Sequence, residues 1–137
     1  MTTVLDSSVV VDALVGNSAG ADQARSRLAA IAVLQTPAIL LAEVASALRG
    51  MTLAGYLTPG RARVALDQAG RLRMMAYPFR PFIDRVWELR ANLTVYDAWF
   101  VALAERISAT LVTADRRLAS AVGPQCPIEL VGDSTAG

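Results

Sequence analysis

Four carboxylates stand where apolar neighbours should discourage them. Asp6 follows Val4-Leu5, and Glu43 interrupts Ile39-Leu40-Leu41-Ala42-Glu43-Val44-Ala45. Asp97 heads Ala98-Trp99-Phe100-Val101-Ala102-Leu103-Ala104, and Asp115 closes Thr110-Leu111-Val112-Thr113-Ala114. A carboxylate withdrawn from water is unfavourable unless it is paired or binds a cation. The helical neighbours of Glu43 (Ile39, Leu40, Ser46, Ala47) include no base, and none lies three or four residues from Asp97. Brought together by a fold, the four would hold a metal ion. Carboxylates with hydroxyls suit hard cations such as Mg²⁺ or Mn²⁺.

Two absences narrow the chemistry. The chain has no histidine, which removes imidazole bases, Ser-His-Asp triads and histidine-ligated zinc. All 13 basic residues are arginine, so there is no P-loop lysine and no Schiff-base lysine. Carboxylate, hydroxyl and arginine remain.

Each acid also has an ordinary structural role open to it. Asp6 could cap the helix that follows, although Ser7 would serve as well. Thr94-Val95-Tyr96-Asp97 resembles a capping box with Asp in place of Glu or Gln, yet Asp97 shares a helix face with Phe100, Val101 and Ala104. Asp115 could cap the Arg116 helix, beside Arg116 and Arg117. Glu43 could lie on a narrow solvent stripe with Ser46 and Gly50, and is the hardest to dismiss. Asp12, Asp22, Asp67, Asp84, Glu88 and Glu105 read as solvated, among polar residues or near arginines. Trp87, Trp99, Phe100 and Met74-Met75 read as core or interface rather than as a base-stacking platform.

The elements that must position these acids alternate. Short strands are expected at Val4–Asp6, Val33–Thr36, Met74–Tyr77, Ala109–Thr113 and Ile128–Val131. Helices are expected at Ser7–Leu14, Ala19–Ala32, Pro37–Arg49 with Gly50 as its stop, Thr58–Arg73, Pro81–Ala91, Thr94–Arg106 and Arg116–Val122. Such βαβα alternation predicts an α/β fold, a mostly parallel sheet covered by helices on both faces. Functional groups in such sheets gather at the carboxyl ends of the strands. Asp6 and Asp115 fall at strand ends, Asp97 in the first turn of a helix and Glu43 inside one. That placement points the four at one pocket.

A length of 137 residues allows one domain with a real core, with residues 132–137 expected as a loose tail. Hydrophobic residues make up 54%, which suggests an apolar surface reserved for a partner or a second copy. No apolar run is long enough to cross a membrane, and an apolar strand starting at Val4 leaves no room for a signal peptide. The single cysteine, Cys126, has no partner for an internal disulfide, which fits a cytoplasmic setting. Net charge is only +1, but without the four acids the rest of the chain carries about +5, a mild attraction for phosphate.

These residues resemble a known family. Leu5-Asp6-Ser7-Ser8-Val9-Val10-Val11-Asp12-Ala13-Leu14 looks like the opening of a PIN domain. Glu43 in Leu-Ala-Glu-Val, Tyr96-Asp97-Ala98, and Leu111-Val112-Thr113-Ala114-Asp115-Arg116-Arg117-Leu118-Ala119 resemble that family's second, third and fourth acidic motifs. The likeness runs from Val4 to about Val131, weakest between Gly50 and Phe82, and its size resembles the VapC toxins of type II toxin–antitoxin systems.

The resemblance implies five parallel strands with the first central, and a Mg²⁺-dependent endoribonuclease in which Mn²⁺ can substitute. It implies that Asp6, Asp97 and Asp115 hold the metal, directly or through water, while Glu43 orients or deprotonates the attacking water. Ser8 and Thr113 would position the carboxylates, and Arg85, Arg90, Arg116 and Arg117 are candidate RNA contacts. A cognate VapB-like antitoxin and a homodimer are the expected partners, with no membrane. Cleavage would leave a 5′-phosphate and a 3′-hydroxyl, from transfer, ribosomal or messenger RNA. The competing reading is a non-catalytic PIN-like module that binds RNA or protein, although such modules commonly lose one or more of the acids. DNA cleavage would use the same chemistry. Receiver domains and aspartate-nucleophile phosphatases also place acids on parallel sheets, but they lean on a lysine that this chain lacks.

Overall fold

Five short strands build the sheet, and in the computed structural model all of them run parallel. Residues 2–132 are described; the rest of the expected tail, 133–137, lies outside the described residues. In chain order the elements are β1 (Thr3–Leu5), α1 (Ser7–Val15), α2 (Ala19–Ala29), β2 (Leu34–Pro37), α3 (Leu40–Leu53) and α4 (Pro59–Gly70). There follow β3 (Met74–Tyr77), a 3-10 turn (Arg80–Phe82), α5 (Ile83–Glu88), α6 (Val95–Arg106), β4 (Thr110–Thr113), α7 (Arg116–Ala119) and β5 (Ile128–Leu130).

Hydrogen-bonded ladders divide the strands three and two, in the orders β1-β4-β5 and β2-β3. β1 is bonded to β4 and also packs against β2, so the first strand is central in position although only one side of it is laddered. Successive strand residues point to opposite faces. Val4, Leu5, Leu111, Val112 and Thr113 are all fully buried, so both faces of this sheet are covered. The helices fall into two packed groups, α1 with α2, α3 and α4, and α5 with α6. The result is an α/β/α sandwich. Its core centres on Phe100, Leu103, Leu111, Val9, Val10 and Val44.

Several boundaries differ from the sequence expectation for local reasons. Pro37 closes β2 in register with Tyr77 instead of opening the next helix, and Ala38 N–H bonds the Tyr77 carbonyl. α3 starts at Leu40 and continues through Gly50 to Leu53, with Gly50 C=O accepting from Ala54 N–H. A single glycine weakens a helix by only about 1 kcal/mol, which the packing of Leu48 and Met51 offsets. The expected Pro81–Ala91 helix splits into the 3-10 turn and the short α5. α4 is capped as expected, with Thr58 Oγ1 accepting from Arg61 N–H at 3.1 Å. Trp99 and Phe100 are in the core, whereas Trp87 and Met75 lie on the surface, 61% and 53% exposed.

Candidate active site

Strand register brings the first pair of acids together. Leu5 pairs with Val112, and Asp6 N–H bonds the Val112 carbonyl at 2.8 Å. Asp6 therefore leaves β1 beside Thr113, two residues before Asp115 leaves β4. Because the strands are parallel, both carboxylates emerge at the same edge. Glu43 arrives from α3, which follows β2, and Asp97 from α6, which precedes β4.

All four acids occupy helix N-termini. Asp6 and Asp115 are the cap residues of α1 and α7, and Glu43 and Asp97 lie in the first turns of α3 and α6. Glu43 was expected inside its helix; the later start at Leu40 moves it to the first turn. Helix N-termini carry partial positive charge and unpaired N–H groups, so the fold tolerates this acidic cluster.

Asp6 is the most constrained. It is 4% exposed, and its side chain makes no capping bond to α1. Instead its Oδ2 accepts from Ser8 Oγ at 2.6 Å and from Thr113 Oγ1 at 2.9 Å. Both hydroxyls are held in turn: Ala114 N–H donates to Ser8 Oγ, and Asp115 N–H to Thr113 Oγ1, each at 3.0 Å. Ser8 and Thr113 thus tie the ends of β1 and β4 together and orient one carboxylate between them. Asp115 does serve as a cap, its Oδ1 accepting from Arg117 N–H at 2.9 Å. Its Oδ2 lies 3.8 Å from the Arg117 guanidinium.

The other two acids show the electrostatic tension of the site. Burial, and then the charges of Asp6 and Asp97, push the Glu43 carboxyl up to about 6, against a hydrogen bond from Ser7 that lowers it. Glu43 Oε1 is buried with no hydrogen-bond partner among the described residues. Burial also raises Asp97, with Asp6 and Asp115 adding to the rise, while Thr94 and Arg117 pull it down. Ser7 was read only as an alternative cap; its hydroxyl faces Glu43 because α1 packs on α3.

The donor set fits a hard divalent cation: oxygen ligands only, mutual repulsion among the acids, and an orphaned buried carboxylate oxygen. Among the described residues no three of these acidic side chains lie close enough together to form a ready metal-binding group. An open arrangement suits a cation that keeps several of its waters.

The candidate RNA-contact arginines separate. Arg90 and Arg117 line a cleft of about 310 Å³ with Asn92, Thr94 and Asp97. Arg85 is committed elsewhere, gripping Glu105 at 2.6 and 2.9 Å and Glu88 at 3.1 Å. Arg116 is exposed at the start of α7. Asp12, read as solvated, is half-buried on α1, and burial raises its carboxyl.

A parallel sheet with acids at its carboxyl edge, each on a helix N-terminus, is the architecture of a PIN domain, whose family profile matches residues 3–123. Ribonuclease VapC1 of Mycobacterium tuberculosis is 43% identical over 129 residues, 93% of this chain and 96% of that protein. Ribonuclease VapC9 of the same species is 41% identical over 128 residues, 93% of this chain and 97% of that protein. The chain belongs to the PIN-domain family, in its VapC ribonuclease group. The fold is shared with the crystal structure of PAE2754 from Pyrobaculum aerophilum, with a TM-score of 0.70 at 19% identity over 95% of this chain and 84% of that one. It is also shared with VapBC2 from Rickettsia felis bound to a promoter DNA fragment, with a TM-score of 0.65 at 19% identity over 96% of this chain and 99% of that one.

Proposed function

We propose that this chain is the toxin of a type II toxin–antitoxin system, a metal-dependent endoribonuclease restrained by a cognate VapB-like antitoxin. The observation that carries the reading is the convergence of Asp6, Glu43, Asp97 and Asp115, which includes a buried carboxylate oxygen with no partner among the described residues. A non-catalytic binding module has no need of four mutually repelling acids.

Asp6, Asp97 and Asp115 would hold Mg²⁺, directly or through water, with Mn²⁺ able to substitute. When bound, the cation supplies neutralising charge at the attacked phosphate and makes water nucleophilic near neutral pH. Glu43, raised to about 6, is poised to accept that water's proton through its unpartnered Oε1. Ser8 and Thr113 fix the Asp6 carboxylate, so the site needs little reorganisation to receive substrate. Arg117 and Arg90, on the cleft beside Asp97, would steer the phosphate backbone. In-line attack would leave a 5′-phosphate and a 3′-hydroxyl.

Exposed apolar side chains on α3 and α4 and the turn between them, Leu53, Tyr56 and Val64, support a protein partner and a homodimer. Among the described residues no helix is long and apolar enough to cross a membrane; a cytoplasmic location is part of the proposal.

The test is cleavage of RNA by the purified chain with and without Mg²⁺, beside Asp97→Asn. The expected result is cutting that stops with EDTA, returns with Mn²⁺ and is absent in the variant, whose circular dichroism is unchanged. Metal-independent cutting, or full activity of Asp97→Asn, would sink the assignment.

A further inference from the structure

Of the chain's two tryptophans, Trp99 is 7% exposed and Trp87 is 61% exposed. An indole left largely in water on the surface forfeits much of its burial energy. The Trp87 ring is not bare, because the Arg90 guanidinium carbon lies over it, 4.8 Å from the centroid. Arg90 is also fixed along its length, its Nη1 donating to the Trp87 carbonyl at 2.7 Å. Among the described residues Arg90 forms no ion pair with a carboxylate. Arg90 also lines the cleft that contains Asp97 and Arg117. The arginine thus lines the cleft of Asp97 while its guanidinium rests on an exposed aromatic ring.

We propose that Trp87 and Arg90 form a stacking platform for an unpaired base of single-stranded RNA, beside the cleft that contains Asp97. The proposal rests on the ribonuclease reading and deepens it, because it names the side chains that would seat a base beside the site. Proteins that bind single strands combine a positively charged track for the backbone with aromatic or guanidinium planes on which bases stack. Here Arg117 and Arg90 supply the charge and the Arg90–Trp87 pair supplies the planes. A paired helix would bury its bases against one another and leave this platform unused. Ile83, 47% exposed and one turn before Trp87, would widen the apolar face beneath the base.

The experiment is anisotropy of a labelled single-stranded RNA dodecamer bound to the full chain carrying Asp97→Asn, which keeps the strand intact. Trp87→Ala, Trp87→Phe and Arg90→Ala are then added separately, and each is also titrated with an abasic strand of equal length. Trp87→Ala should weaken binding of the base-bearing strand by roughly fivefold or more, and Trp87→Phe should retain most of the affinity. The abasic strand should bind the parent and Trp87→Ala chains alike, while Arg90→Ala weakens both strands.

Equal binding of the base-bearing strand by parent and Trp87→Ala chains would overturn the platform, as would an equal loss for both strands. A change in light-scattering mass on Trp87→Ala, with RNA affinity unchanged, would overturn it in favour of an interface between copies. If the wild-type chain cuts RNA and Trp87→Ala cuts it identically, only the platform falls. If the wild-type chain neither binds nor cuts RNA, the ribonuclease reading falls with it.

Discussion

Replacing Glu43 by glutamine separates stability from chemistry. The amide keeps the shape of the side chain and removes its charge. Folding raises this carboxyl from its ordinary 4.5 to about 6, first through burial and then through Asp6 and Asp97. A carboxyl raised by folding favours the folded state while it is protonated. Its contribution is therefore fully present below pH 4.5 and is lost as pH rises to about 6. The full rise corresponds to roughly 2 kcal/mol, and the solvated half of the side chain reduces that to about 1 kcal/mol. Without divalent cations, Glu43→Gln should match wild type near pH 4.5 and exceed it by about 1 kcal/mol above pH 6, roughly 3–5 °C in Tm. Added Mn²⁺ should narrow the gap, because a nearby cation relieves the ionised carboxylate. Cleavage should fall by roughly 10²–10⁴-fold, the range for losing a general base. Thermal unfolding in EDTA from pH 4.5 to 8, beside a cleavage assay, reads both effects. A variant less stable than wild type at pH 8, or a gap that does not change with pH, would refute the electrostatic account.

The remaining predictions concern the scaffold. Thr113→Val removes the hydroxyl that donates to buried Asp6 and accepts from Asp115 N–H. It should destabilise the fold by about 1–3 kcal/mol in urea denaturation and lower cleavage with it. Arg85→Ala strips Glu105 of its two-bond grip and frees Gly123 C=O. The Glu105 carboxyl is lowered because the bonds from Arg85 and Gln125 outweigh its burial, so this stabilisation is present above pH 4.5 and fades as pH falls further. The expected loss is about 1.5–3 kcal/mol at pH 7, measured by denaturant midpoint, with RNA affinity unchanged. A Cβ on Gly20 would meet Gly132 Cα at 2.6 Å, backbone against helix. Gly20→Ala should therefore destabilise by about 1–3 kcal/mol, as overpacking does, and calorimetry would show it.

The sequence by itself pointed to the chemistry proposed for the site. The absence of lysine and histidine, and four acids in apolar settings, favoured the hard-cation reading over lysine- or histidine-based chemistry. The βαβα alternation and the caps at Thr58 and Thr94 were legible because strand and cap signals are local. What only tertiary structure decided are the facts set by partners distant in the chain. Whether Asp6 caps α1 or is held by Thr113 depends on β1 pairing with β4 in one register, 107 residues apart. Glu43 moved to a helix N-terminus because β2 extended through Pro37 to pair with β3. The split of the sheet into two ladders and the diversion of Arg85 to Glu105 are likewise long-range. So is the contrast between buried Trp99 and exposed Trp87, two tryptophans that composition alone treats alike. Residue type and periodicity report what a side chain can do. Strand register and helix packing determine which groups it meets.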